Sequence, residues 1–139
     1  MRFAYPALLR PAGDEIIVSF RDLPECLTSG DNQAEALAEA QDALAVTVAC
    51  RISDGEPIPA PSAARPGEHL VTVPADMAAK AAFALAFRRS GLSRAALAAR
   101  LDIDKKSVQR MLDPRYVTAA GRIHAALREL EADLVLELR

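Results

Sequence analysis

The spacing of apolar positions changes period several times along this chain, and each change marks a structural boundary. Phe3, Tyr5, Ala7 and Leu9 alternate with other residues, as do Ile16, Val18 and Phe20, so two strands are predicted around the turn Arg10-Pro11-Ala12-Gly13-Asp14. Pro6 lacks a ladder donor, which predicts a strand at an edge or one that carries its nitrogen toward solvent. Cys26-Leu27-Thr28 supplies a short third strand after the break at Asp22-Leu23-Pro24. Asn32 and Glu35 then have N-cap and N3 spacing and open a helix with Ala34, Leu37, Leu44, Val48 and Ile52 inward and Glu35, Glu39 and Asp42 outward. It ends near Asp54-Gly55. A proline-rich connection, residues 55–67, runs extended to a fourth strand at Leu70, Val71 and Val73. Residues 1–74 therefore form an α+β domain in the order β-β-β-α-β.

From Asp76 the period is helical throughout. Met77, Ala81, Ala84 and Leu85 share a face of one helix that ends at Ser90-Gly91. Ser93 caps a second helix, Arg94 to Leu101, with Ala95, Leu97, Ala98 and Leu101 inward, and Asp104 caps a third, Lys105 to Leu112. Two helices of about eight residues around a three-residue turn follow the helix-turn-helix plan, and Ala98, Ile103 and Val108 hold the small and apolar packing positions it needs. Asp102 occupies the turn position that favours glycine, and Asp tolerates the left-handed conformation better than most residues. Pro114 stops the third helix. Thr118 is placed to cap a last helix with Ile123, Leu127 and Leu130 on one face. Leu134, Leu136 and Leu138 then alternate, which predicts a terminal strand pairing across a two-fold axis and hence a homodimer or higher homo-oligomer. Residues 75–139 thus form an all-α helix-turn-helix domain with a terminal dimerisation strand.

Composition narrows the function. With 29 alanines, no tryptophan and six aromatics in 139 residues, the core is lean, and burial at a subunit interface is expected. No apolar run approaches the ~20 residues of a membrane span, and no secretory leader pattern follows Met1-Arg2, so a cytoplasmic location is expected. Cys26 and Cys50 have no metal-ligand spacing and are expected to be reduced and buried. With His69 and His124 as the only histidines, neither a zinc site nor a Cys-His pair has material. Asp14, Glu15, Asp22, Glu25 and Asp31 lie near strand ends, where a metal-dependent ribonuclease would gather carboxylates. No histidine motif, nucleophile elbow or phosphate loop accompanies them, so no catalytic, metal or cofactor residue is assigned.

Charge is divided between the halves. Residues 1–74 carry 5 Lys/Arg against 11 Asp/Glu, a net of −6, and residues 79–128 carry 11 against 3, a net of +8. The basic segment contains the paired helices, which points to a polyanion. On the helix beginning at Lys105, the residues Lys106, Gln109 and Arg110 are expected at base edges, and Arg94, Lys105, Ser107 and Arg115 at phosphates.

The first half also carries a combination of motifs: Tyr5-Pro6, Val18-Ser19-Phe20, Asp22-Leu23-Pro24 with Cys26 and Thr28, Gly30-Asp31, Glu35-Ala36, and Asp54-Gly55-Glu56 leading into Pro57-Ile58-Pro59-Ala60-Pro61-Ser62. Over residues 3–74 this resembles the HicB antitoxin family, with Glu25 at a usual glycine and Asn32 at a usual threonine. The resemblance implies a partial ribonuclease-H-like fold that binds and occludes a HicA-like mRNA interferase toxin without catalysis of its own. The residues that touch the toxin are not legible. The second half resembles the phage-repressor type of helix-turn-helix, which implies binding to double-stranded operator DNA and autorepression of the toxin-antitoxin operon. The competing expectation is a stand-alone repressor whose first domain senses something other than a toxin.

Overall fold

A computed structural model describes residues 1–139 and shows a mixed α/β chain with a four-stranded antiparallel sheet and five helices. By its contacts the chain divides into one unit of Met1–Arg51 with Pro57–Pro74 and another of Ile52–Glu56 with Ala75–Arg139.

The first unit holds β1 (Ala4–Ala12), β2 (Glu15–Phe20), β3 (Leu27–Gly30), α1 (Gln33–Asp54) and β4 (Glu68–Thr72), with sheet order β3-β2-β1-β4. β1 is therefore a central strand, so of the two arrangements expected from Pro6, an edge strand or a nitrogen carried toward solvent, the edge position is not what forms. Ladder register explains how a central strand accommodates two prolines. The Phe3 carbonyl accepts from the Val73 amide at 2.9 Å, so Phe3 faces β4 and Pro6, of opposite parity, turns its nitrogen toward β2. There the ladder has already ended at the pair Ala7–Phe20. Pro11 faces the other way, past the last β1–β4 pair, Leu8–Glu68. Neither proline removes a bond that the sheet would otherwise make.

One sheet face, with Tyr5, Ala7, Val18, Phe20 and Val71, is buried, while Leu8, Leu27 and Leu70 on the other are exposed. Asn32 caps α1 as its spacing predicts, its Oδ1 accepting from the Glu35 amide at 2.9 Å. The buried stripe of α1 runs through Ala36, Ala40, Leu44 and Val48, whereas Ala34 is exposed and Leu37 half-buried. Leu44, Val48 and Ile52 are buried as expected, and the stripe departs from expectation only at its start, where the first turn sits against Gly30 and a Cβ there would lie 2.4 Å from the Ala36 nitrogen. Backbone contact, rather than the larger Leu37, sets the rotation of the helix.

The proline-rich connection runs without a ladder of its own, and its four prolines lack amide donors, so side chains hold its main-chain groups. The Tyr5 hydroxyl donates to the Pro59 carbonyl at 2.7 Å, Arg51 to Pro57 at 2.6 Å and Arg21 to Ala63 at 2.5 Å. Asp22 accepts from the Ser62 amide at 2.8 Å and the Ser62 hydroxyl at 2.7 Å, so both its oxygens hold this segment. Burial pushes the Tyr5 hydroxyl up to about 12. Cys26 is buried as expected, but Cys50 is exposed on α1, a correction to the expectation for both thiols.

The second unit holds α2 (Ala75–Ser90), α3 (Arg94–Leu101), α4 (Lys105–Leu112) and α5 (Ala120–Glu129). Its core is Ala79, Phe83, Leu97, Ala98, Val108, Met111, Ile123, Ala126 and Leu127, with the rings of Phe83 and Phe87 stacked at 6.2 Å. Ala95, expected inward, is exposed. α5 has no side-chain cap, because Thr118 is engaged elsewhere and the N-cap position falls to Ala119. The expected terminal strand is absent from the single chain, since a strand needs a neighbour to complete its ladder. Leu134 packs on the helical core, while Leu136 and Leu138 are exposed. α5 closes instead with Glu131 at φ 58° and the Ala132 amide bonded to the Leu127 carbonyl at 2.9 Å, a Schellman closure that turns the tail out of the helix.

Candidate nucleic-acid interface

The candidate interface is built on α3 and α4. Both helices begin with side-chain caps: Ser93 Oγ accepts from the Ala96 amide at 3.0 Å, and Asp104 Oδ1 from the Ser107 amide at 2.7 Å. The latter bond is the main reason the Asp104 carboxyl is held below the usual carboxylate range. Between them, Asp102 adopts φ 54° and ψ 45°. Its amide reaches the Ala99 carbonyl at 3.3 Å and the Ile103 amide reaches Ala98 at 3.0 Å. This closure ends α3 and folds Ile103 back over Ala98, so a short turn carries α4 away in a fixed direction.

Val108 and Met111 are buried, which fixes the rotation of α4 and leaves Lys105, Lys106, Gln109 and Arg110 exposed. Ser107 is half-buried. Arg94 is exposed at the start of α3, and Arg88, Arg94, Gln109 and Arg115 share the rim of an open cleft of about 910 Å³. A surface of this kind, three cations and an amide on adjoining elements, can attract phosphates and offer hydrogen bonds to base edges. No three His, Cys, Asp or Glu side chains converge to hold a metal.

Two residues of the α4–α5 connection alter the expected set. Arg115 is tied to Asp113, with Nη2 to Oδ2 at 2.8 Å and Nε to Oδ1 at 3.1 Å, so its charge is shared rather than free for a phosphate. Tyr116 lies under Arg110, the guanidinium 5.9 Å from the ring centroid, a cation–π contact that restrains this exposed side chain.

The pair has a pH consequence. Hydrogen bonds from the Arg115 side chain and amide hold the Asp113 carboxyl down at about 2. Because the folded value lies below the ordinary ~3.9 of an unfolded Asp, the stabilisation is complete above that value and is lost as pH falls through about 2. A carbon-13 titration of the Asp113 carboxyl should therefore show a midpoint near 2, and Arg115→Ala should move it up toward 3.9. A midpoint unmoved by that substitution would overturn the assignment.

Sequence reasoning missed Lys80. It lies on α2, is only 4% exposed, and donates from Nζ to the carbonyls of Arg110 (2.9 Å), Met111 (3.1 Å) and Asp113 (2.9 Å) and to Thr118 Oγ1 (2.9 Å). The only signal for it was a lysine on the inward face of an otherwise apolar helix.

Residues 4–82 match the family described as HicB-like antitoxin of bacterial toxin-antitoxin systems. The chain belongs to this family of antitoxins. HicB-like relatives cover nearly its full length: it is 34% identical over 133 residues to Antitoxin HicB of Escherichia coli strain K12, covering 95% of this chain and 96% of the relative. It is 37% identical over 127 residues to Antitoxin HicB 1 of Photorhabdus laumondii, covering 88% and 81%. Antitoxin HicB 2 of the same organism is 39% identical over 119 residues, 86% and 84%. As a HicB-like antitoxin the chain is not an enzyme, which accords with Asp22 being occupied by Ser62 rather than open to a metal. No helix is long and apolar enough to cross a membrane.

Proposed function

We propose that this HicB-like antitoxin acts twice in the cytoplasm: residues 1–74, a partial ribonuclease-H-like domain, occlude a HicA-like mRNA interferase, and residues 75–139, a helix-turn-helix domain, bind operator DNA and repress the operon. The observation that carries the second role is α4, whose buried Val108 and Met111 leave Lys105, Lys106, Gln109 and Arg110 together on the exposed side. Lys106, Gln109 and Arg110 read bases, and Arg94, Lys105, Ser107 and Arg115 hold phosphates, Arg115 after yielding part of its pairing with Asp113. The acidic balance of residues 1–74 and the exposed Leu8, Leu27 and Leu70 support docking of a basic toxin, with charge speeding encounter and apolar anchors supplying retention. Leu134, Leu136 and Leu138 pair with a second copy, giving a homodimer on a pseudo-palindrome with half-sites ~34–36 Å apart.

Titration of the full chain against duplex from its own promoter tests the DNA role. With three cationic phosphate contacts per protomer, Arg94, Lys105 and Arg115, affinity should fall roughly 10³-fold between 50 and 200 mM salt for a dimer. A promoter duplex bound no better than a shuffled one at low salt overturns it. Co-expression with the neighbouring small gene tests the toxin role: growth rescue and a co-purifying complex are expected, and absence of both leaves a plain repressor.

A further inference from the structure

Lys80 is an unusual lysine. Its ammonium has three protons and four oxygen acceptors within 3.1 Å, none of them a carboxylate. Three are main-chain carbonyls at and just beyond the end of α4, where the helix leaves acceptors unpaired and its dipole favours a cation. Burial pushes the Lys80 ammonium below its ordinary value and the nearby Asp113 carboxylate pushes it back up. Burying a cation is costly, and apolar residues of similar volume often stabilise a core equally well. What distinguishes Lys80 is the segment it holds.

The Arg110 carbonyl accepts from the Lys80 ammonium, and the Arg110 guanidinium rests on Tyr116. Asp113 gives its carbonyl to Lys80 and its carboxylate to Arg115. Thr118, which would otherwise be placed to cap α5, gives its hydroxyl oxygen to Lys80 instead. One buried ammonium therefore gathers the last turn of α4 and the connection beyond it, and with them Arg110, Arg115 and Tyr116. We propose that Lys80 is a positioning residue for DNA reading: without touching DNA, it clasps the end of α4 and residues 113–118 so that Arg110 is presented in one fixed geometry. The assignment rests on the operator-binding function proposed above.

The test uses the full chain with Lys80→Met, which keeps the length and removes the donor, and Thr118→Val, which removes one acceptor and leaves the ammonium. Two readouts are taken at 25 °C: amide hydrogen exchange across residues 112–118 without DNA, and anisotropy titrations against the promoter duplex and a shuffled duplex of the same composition. In Lys80→Met, exchange should quicken and promoter affinity should fall about tenfold, the discrimination of one well-placed bidentate contact, while shuffled-duplex affinity changes less than about threefold. Thr118→Val should do the same to a smaller extent, about threefold on the promoter. A merely structural role would not change the promoter-to-shuffled ratio of a folded variant, so an unchanged ratio overturns the proposal, as does unchanged exchange. If Lys80→Met does not fold, Thr118→Val decides by the same two criteria. A wild-type chain that does not discriminate the two duplexes overturns operator binding itself, and this assignment with it, a failure visible before any variant is compared.

Discussion

Replacing Phe83 by alanine should cost about 4 kcal/mol and melt the helical unit selectively. Phe83 is fully buried on α2, packs in the core with Leu97, Val108, Met111 and Ile123, and stacks on Phe87. Leu97, Val108, Met111 and Ile123 are themselves held by the rest of the core, so they collapse into the space only in part and most of the cavity should persist. For a domain of this size each kcal/mol moves the midpoint by roughly 4–8 °C, so a fall of about 16–32 °C is expected by calorimetry. Operator binding at 37 °C should be lost while rescue from the toxin, assigned to the other unit, is retained. A midpoint lowered by less than about 5 °C would show that the ring is not the keystone claimed for it.

Gly30→Ala should damage the first unit in the complementary way, and by overpacking rather than by a void. The added Cβ would meet the Ala36 nitrogen at 2.4 Å, Ala36 Cα at 2.7 Å and the Glu35 carbonyl carbon at 2.9 Å, all backbone atoms of the first turn of α1. No rotamer relieves such a clash. The helix must lift from β3 or β3 must leave β2, at a cost of about 3 kcal/mol or more. The expected result is a lowered melting point together with lost toxin rescue, and operator binding retained. Full rescue at wild-type stability would mean that the strand and helix are not held at the described separation.

What could be read from the residues was whatever depends on neighbours in sequence. Asn32, Ser93 and Asp104 act on amides three residues away, so their caps follow from spacing alone, and the period-2 runs of β1 and β2 with the turn between them are equally local. Misreadings arose where a distant backbone decides. Alanine at 34, 36, 38 and 40 offers several phases for α1, and only the approach of Gly30 selects Ala36 and Ala40. Pro6 in a central strand depends on where β2 stops. Lys80 finds carbonyls, groups every residue possesses, so no side-chain pattern marks its partners. Glu131 ends α5 in a conformation that usually calls for glycine, and the terminal strand depends on a second chain. On α4 the exposed set was legible because apolar Val108 and Met111 at helical spacing leave only one orientation, while the restraint of Arg110 by Tyr116 and of Arg115 by Asp113 required the folded connection.

The unequal placement of the two thiols bears on how the assembly state must be measured. Burial pushes the Cys26 thiol up in pKa, which leaves it a poor nucleophile, whereas Cys50 stands on the surface of α1. In aerated buffer, two copies joined through Cys50 would run as a covalent pair whatever the tail does. A mass measured with reductant, or on Cys50→Ser, separates this counterfeit from a homodimer held by Leu134, Leu136 and Leu138. The same asymmetry makes Cys50 a ready single attachment point for a fluorophore.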